Sequence, residues 1–501
     1  MKVNLASFNP LTADIASNTE KVIRLLRAPA PQADLLVLPE AALCGCPLFD
    51  LFDDNTLALQ NQQFLKLIAK ETKQTACVLG FLDRRGKENL TAAAFIYKGK
   101  VTKIYDSETV SFLGKNIQIV LGHPLDSVAD SDADLILFLG ARPYLKKALS
   151  VYLDSLCKFA KKAGVPCASC NLLGGGDGMI FDGLTAVANA KGQLALTPNL
   201  FEERLNSFDL NDLKTSVSYK LPWQDELLEA LSFGLRDYVH KSGYDKVVFG
   251  VSGGIDSAFT AALAARALGG ESVYCVSLPS YCTSNLSKTL AGQLAVKLGV
   301  NLEEVGVKPV LDAVKTAVEH MVSHPLNSTE QDLQSRLRTN ILMALANEYN
   351  AMLISTDDKS ETSVGSCVLY GDTSGSLLPI GDLYKSEIYE LVEYLNRNEE
   401  LIPKGIVERA PTSELSPNQK DEDFLPPYKV LDKILAAFWE ENISSEADLA
   451  KKLKVKSAVV HDVLERINRA DLTRRQTAPV LQVSRFPISG KMRPIIKKIN
   501  L

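Results

Sequence analysis

The run Lys246-Val247-Val248-Phe249-Gly250-Val251-Ser252-Gly253-Gly254-Ile255-Asp256-Ser257, continued by AFTAALAARAL, decides the fold, because it passes directly from a clear strand through a glycine turn into a clear helix. The glycines fall in the turn, so backbone amides face outward at the start of the helix, a geometry that binds phosphate. Gly253 and Gly254 lack the Cβ atoms that would hold a pyrophosphate away, and the Ser252 and Ser257 hydroxyls add donors. Asp256 cannot attract phosphate itself and is better explained as a ligand for Mg²⁺. The loop is not a Walker A sequence, since it lacks the GK[ST] ending, and it is not GxGxxG. A purely structural turn is the bland alternative.

Outward from that turn, a helix is expected from Trp223 to about Lys241, then the strand KVVFGVS, the helix DSAFTAALAARAL, the strand SVYCVSL, the helix SKTLAGQLAVKLG and, after a longer excursion, the strand AMLISTD. This repeating β-α-β order implies a parallel sheet with helices on both faces, a doubly wound α/β unit. The first half also alternates: VNLASFN, a helix to about Leu26, DLLVLPE, a polar helix, then ACVLGFL, AAAFIY, KVTKIY, IQIVL and DLILFLG. Short runs rich in β-branched residues are the signature of a buried sheet covered by helices. A helix from Leu145 to Ala163 and strands around GVPCASC and GLTAVANA follow, and Gly174 to Gly178 reads as a flexible turn. From Asn206 to Leu221 the chain turns polar, which places a first domain at 1–210, a linker at 211–222 and a second domain at 223–501.

At 501 residues, two domains are the prior expectation. Apolar residues make up 46% and charged residues 23%, as in soluble globular proteins, and no stretch is long and apolar enough to cross a bilayer. The N-terminus carries no secretory h-region, which points to the cytoplasm. A net charge of -5 gives no field to attract nucleic acid. Nine scattered Cys read as reduced thiols; the CxxC of Cys167 and Cys170 has no second ligand pair nearby, and His320 with His324 reads as a solvated helix end.

SGGIDS resembles the pyrophosphate loop of the ATP pyrophosphatase superfamily, whose members adenylate a substrate oxygen, release pyrophosphate and let a nucleophile displace AMP. The resemblance assigns ATP to Gly250, Val251, Ser252, Gly253, Gly254, Ile255, Asp256 and Ser257. Across most of the second half the chain is similar to the NAD synthetases. Thr356-Asp357-Asp358-Lys359-Ser360-Glu361 looks like that family's TGNKSE, and Leu369-Tyr370-Gly371-Asp372 like its YGD. These imply that Thr356 contacts ATP, that Glu361 joins Asp256 at Mg²⁺ or the substrate, and that Asp372 meets the substrate. Lys385, thirteen residues beyond Asp372, matches a family Lys that neutralises ATP phosphates. Pro411-Thr412-Ser413-Glu414-Leu415 with KDEDFLPPYKVLD resembles the mobile loop that closes over the adenylate, which implies that Thr412 approaches the metal and phosphates. Asp332 stands where the family usually has Asn, and Thr473 where it has Lys. Arg336, Arg338, Arg474 and Arg475 remain able to pair with a dinucleotide pyrophosphate. NAD synthetases of this type bind substrate across a dimer interface, so a homodimer or larger homo-oligomer is implied.

The first half resembles the nitrilase-like glutaminase of glutamine-dependent NAD synthetases, an α-β-β-α sandwich: an early NP, then Asp34-Leu35-Leu36-Val37-Leu38-Pro39-Glu40 and a Gly/Cys/Pro turn. That family uses a Glu-Lys-Cys triad of base, oxyanion stabiliser and nucleophile. Glu40 fits the first position. Ser107 takes the place of the Lys, and Leu121-Gly122-His123-Pro124 stands where the Cys is due, so Gly122 replaces the nucleophile. The segment between those positions is also short. The expectation is an ammonia-dependent NAD synthetase with an inactive first domain, taking deamido-NAD, ammonia, ATP and Mg²⁺. Another adenylating amidase or thiolase, or a regulatory pseudoenzyme, are the competing readings.

Overall fold

The computed structural model describes residues 1–28, 33–122, 132–214, 216–321, 327–416, 419–488 and 494, so His123, Pro124 and His324 lie outside the described residues. The chain divides into two compact units, Met1–Phe233 and Gly234–Leu501, and the division falls inside the helix Trp223–Lys241.

Two sheets build the first unit. One runs in the order Leu205–Asp209, Lys2–Ala6, Leu35–Val37, Ala76–Arg85, Glu88–Tyr97 and Lys100–Ile104. The other runs Thr185–Ala188, Cys167–Asn171, Leu135–Gly140, Lys115–Leu121 and Ser107–Phe112. Side chains alternate across a strand, so Leu5, Val37 and Val78 of the first sheet meet Ile117, Ile119, Leu135 and Leu137 of the second in one buried core. The opposite face of the first sheet, Leu36, Leu38, Cys77 and Leu79, packs on Val22 of the helix Ile15–Arg27 and Leu65 of the helix Asn55–Glu71. Ile136 and Phe138 of the second sheet pack on Leu156 and Phe159 of the helix Leu149–Ala163. The layers are therefore α-β-β-α, the nitrilase-like sandwich that the first half's resemblance implied.

Three sequence expectations change here. Gly174 to Gly178 is not merely a flexible turn, because Leu173–Gly176 pairs antiparallel with Met179–Asp182 and only Asp177 and Gly178 turn, both at positive φ. The polar stretch from Asn206 begins as a strand, antiparallel to Lys2–Ala6 at the sheet edge, where Ser207 Oγ donates to Asn4 Oδ1 at 2.7 Å. Its polarity reflects the edge position of that strand. The helix expected from Leu145 begins at Leu149 and stops at Gly164, whose φ of 69° suits a left-handed helix end.

The second unit holds a four-stranded parallel sheet in the order Asn301–Glu304, Val273–Ser277, Val247–Gly250, Met352–Leu353. Val248, Val276 and Leu353 pack with Leu311 of the helix Lys308–Val318 and Leu337 and Leu342 of the helix Asn327–Tyr349. The helices Ile255–Leu268 and Asn285–Leu298 cover the other side. A separate helical core of Leu431, Ile434, Val463 and Ile467 completes the unit. The chain leaves Val247–Gly250 in one direction and returns to its other side with Met352–Leu353, so the glycine turn stands at the switch point where open α/β sheets place ligands. Among the described residues no helix is long and apolar enough to cross a membrane.

Candidate active site

A cleft of about 470 Å³ opens at that switch point, lined by Gly250, Val251, Ser252, Gly254, Ile255, Asp256 and Ser257 together with Asp332, Thr356, Glu361, Asp372 and Thr412. Its floor is the turn itself. No side chain caps the helix Ile255–Leu268 at Gly254, which leaves the first amides of the helix to a ligand. The serines tie the turn instead: Ser252 N and Ser257 Oγ are 3.2 Å apart, and Ser257 Oγ donates to Gly254 O at 3.1 Å. Gly253 is buried at φ 74°, and a Cβ there would come within 2.6 Å of Ser287 O. Only glycine fits that contact.

Lys385 is the centre of the site's electrostatics. Its ammonium is fully buried and lies 2.8 Å from Asp256 Oδ2, 3.0 Å from Asp358 Oδ2 and 2.8 Å from Glu361 Oε1. Burial lowers its pKa, but the three carboxylates outweigh it and hold the lysine well above its ordinary value. Burial pushes Asp358 up to about 7 against the opposing pull of Lys385, and raises Asp357 and Glu361 as well. Asp372 rises to about 6 by burial, opposed by the Val368 and Thr373 amides and the Ser335 hydroxyl. Lys385 does not line the cleft, so its expected contact with phosphates is replaced in this structure by a contact with carboxylates. Asp358, which sequence reading left without a role, is its buried partner.

Of the expected metal set, Asp256 fits a cation best, since its Oδ1 is buried without a partner. Both Glu361 oxygens are taken, one by Lys385 and one by the Asp358 amide at 3.2 Å. Thr412 Oγ1 donates to Gln419 O at 2.6 Å and accepts from Glu414 N at 3.1 Å, closing its own loop. Among the described residues no group of three or more His, Cys, Asp or Glu is arranged to hold a metal.

The arginines separate sharply. Arg336 is half-buried beside the cleft, pairs with Asp332 at 3.2 Å and donates to Leu369 O. Arg338 lines the cleft and donates to Leu278 O at 3.0 Å. Arg474, expected to meet the substrate, is instead buried and turned inward: it donates to Ser363 O at 2.6 Å and Ile467 O at 2.7 Å and pairs with Asp471. Its role is to join helix ends. Sequence reading also missed Arg409, which lines the cleft and pairs with Glu414.

In the first unit, Glu40 follows the strand Leu35–Val37 and its backbone presses on Gly80 so closely that a Cβ there would sit 1.5 Å from Glu40 O. Its Oε2 accepts from Ala141 N at 3.2 Å. Burial raises its pKa, and the amides of Ala141 and Gly122 oppose that rise, so Gly122 stands beside the carboxyl where the resemblance places a nucleophile. Ser107 opens the neighbouring strand and its hydroxyl accepts from Gln118 at 2.9 Å. Burial pushes the Cys44 thiol up to about 12 and Cys46 to about 11, with Glu40 adding to both. Cys167 and Cys170 point to opposite faces of their sheet, which rules out a shared metal or a disulfide between them.

A glycine turn at a switch point, with buried carboxylates and arginines around it, defines a phosphate-binding α/β enzyme. Residues 227–477 match the NAD synthase family. The chain is 33% identical to the glutamine-dependent NAD(+) synthetase of Synechocystis, over 98% of this chain and 99% of that protein, and 31% identical to that of Acinetobacter baylyi, over 98% and 99%. The structure of a glutamine-dependent NAD+ synthetase from Acinetobacter baumannii, in complex with ADP, superposes with a TM-score of 0.78 at 29% identity, covering 99% of this chain and 98% of that one. One from Cytophaga hutchinsonii gives a TM-score of 0.86 at 20% identity, covering the same shares, and shows the shared fold. The chain belongs to the NAD synthase family, ligases that form a carbon–nitrogen bond. Its relatives are named for glutamine as the amide donor, and nothing in these similarities bears out the expectation of ammonia dependence with an inactive first domain.

Proposed function

We propose that the second unit joins ammonia to deamido-NAD, and that the first unit supplies none of that ammonia from glutamine. The nicotinate carboxylate attacks the α-phosphorus of ATP and pyrophosphate leaves. Ammonia then attacks the activated carbonyl, the carbon–oxygen bond to AMP breaks, and the nitrogen loses a proton to give NAD. The amides at the start of the helix Ile255–Leu268 hold the departing pyrophosphate, with Ser252 and Ser257 shaping the turn. Asp256, whose buried Oδ1 has no hydrogen-bond partner, would hold Mg²⁺, and Glu361 would join it on giving up Lys385. Bound there, Mg²⁺ offsets phosphate charge. Thr356 and Arg338 line the cleft that takes the nucleotide, Asp332 and Asp372 line the part that takes the dinucleotide, and Arg336 pairs with Asp332 there. The same reading takes residues 1–210 and 223–501 as the two functional domains of a cytoplasmic homo-oligomer.

The ammonia reading rests on one observation: Glu40 keeps the surroundings of a general base while its neighbour Gly122 has no side chain to act as nucleophile. Ser107 carries no charge for an oxyanion. The nearby thiols, raised rather than lowered, lack the thiolate character a nucleophile needs. The purified chain is to be given ATP, Mg²⁺ and deamido-NAD with either ¹⁵N-ammonium or [amide-¹⁵N]glutamine. Label is expected in NAD from ammonium alone, and label from glutamine refutes the reading.

A further inference from the structure

Glu414 occupies a place in the cleft built for an anion. Its Oε1 accepts from Arg409 Nη2 at 2.5 Å and its Oε2 from Ser287 Oγ at 2.8 Å, while Arg409 Nη1 reaches the same Ser287 oxygen at 2.6 Å. Ser287 in turn is the residue on which Gly253 of the glycine turn packs. Arg338 also feels the Glu414 charge, along with that of Asp372. Guanidinium groups and a hydroxyl beside a helix start that no side chain caps form a donor set suited to phosphate oxygens, yet here a carboxylate of the chain fills it. The backbone bears the mark of that placement: Glu414 lies at φ 46°, in the left-handed region that side chains such as glutamate rarely adopt. Its amide is held there by Thr412 Oγ1 at 3.1 Å.

We propose that Glu414 is an internal stand-in for the polyphosphate of the nucleotide, holding Arg409 in reserve until phosphate oxygens on the Gly250–Ser257 turn displace the carboxylate and take over the guanidinium. Arg409 then becomes a phosphate contact, and Glu414, which never touches the nucleotide, is a positioning residue that sets how readily the loop Arg409–Leu415 engages. Like-charge repulsion from the seated phosphates drives the carboxylate out, and release of the left-handed backbone favours the same direction. The inference rests on the reading of the turn as an ATP site.

Calorimetric titration of the full chain with α,β-methylene ATP and Mg²⁺ tests it. E414Q keeps the shape of the side chain but removes the competing charge, so it is expected to bind roughly tenfold more tightly than the wild type, the scale of one charge-assisted hydrogen bond. E414A is expected to shift affinity in the same direction. R409Q is expected to bind roughly tenfold more weakly, and adding E414Q to R409Q to give no gain, because the exchange needs both partners. A merely structural loop contact predicts the opposite sign, with E414Q and E414A weakening binding. Unchanged or weaker binding by either Glu414 variant, in a chain whose wild type binds, overturns the exchange alone. Failure of the wild type to bind the analogue overturns the ATP reading and the exchange with it.

Discussion

Replacing Lys385 with Met removes a charge while keeping most of the side chain's length. The ammonium it removes is fully buried and contacts Asp256, Asp358 and Glu361 within 3.0 Å. Taking away one partner of a buried ion pair costs about 3–5 kcal/mol, because the charge left behind has neither water nor a counter-ion. The loss also depends on pH, and its sign follows from the groups involved. Lys385 is held above its ordinary value, so its own contribution is fully present below about pH 10 and does not vary through the neutral range. Asp358 already titrates at about 7 with Lys385 opposing its rise, and without the ammonium it and Glu361 move higher. A carboxyl raised in this way favours folding fully below its unfolded value of about 4, and that advantage is lost as pH climbs through the folded value. Lys385→Met should therefore be hurt most above pH 7 and partly rescued near pH 5.5, where the stranded carboxyls take up protons. At about 2–4 °C per kcal/mol for a unit of this size, a melting point lower by roughly 10 °C is expected at pH 8.5, and a clearly smaller drop at pH 5.5. Scanning calorimetry of both chains at the two pH values measures it. Equal losses at both pH values, or a loss under about 1 kcal/mol at either, refutes a carboxylate cage closed by one ammonium.

Gly253→Ala places a methyl group 2.6 Å from Ser287 O at a φ of 74°, so a stability loss of about 1–3 kcal/mol and weaker nucleotide binding are expected together; denaturant titration showing no loss would mean the turn is not pressed against that backbone. Arg474→Ala strips donors from two buried carbonyls and strands Asp471, so about 3 kcal/mol of stability should go. Arg336→Ala, beside the cleft, should raise KM for deamido-NAD with little change in melting, and the reverse pattern in steady-state kinetics and melting curves would exchange the two roles. Cys44 and Cys46, whose thiols are pushed up to about 12 and about 11, should resist iodoacetamide at pH 7 in the folded chain, and mass spectrometry finding rapid alkylation of either would contradict their raised pKa.

What the sequence disclosed and what it hid follow from the range of the interactions involved. The glycine turn was legible because its meaning is local: a strand, two adjacent glycines and a helix start leave little choice in where the amides point. Short apolar runs disclosed a buried sheet covered by helices, and the α-β-β-α layering came from the family resemblance, although edge strands were not legible. Asn206 to Asp209 read only as the start of a polar stretch at the domain boundary, because an edge strand with one solvated face can be as polar as a loop, and its partner, Lys2–Ala6, is distant in the sequence. The Lys385 cage was hidden for the same reason. It joins the starts of three helices, Ile255–Leu268, Lys359–Val364 and Lys385–Leu395, and no spacing in the sequence shows that three carboxylates converge on one ammonium. Arg474 misled because a motif fixes the position of a residue but not the direction of its side chain.

The first unit separates two things that a catalytic domain usually carries together. What fixes Glu40 is main chain: the contact of its backbone with Gly80, and the amides of Ala141 and Gly122 that face its carboxyl. Glu40 is flanked by Leu38, Ala41 and Ala42, which are buried in the cluster under the helices of the first sheet, so packing of the fold fixes its backbone position. The other two positions depend on side chains. At Gly122 the chain turns left-handed at φ 72°, so a side chain there would be strained even though a Cβ would meet no described atom within 4 Å. Ser107 sits at a strand start, where one small hydroxyl satisfies Gln118.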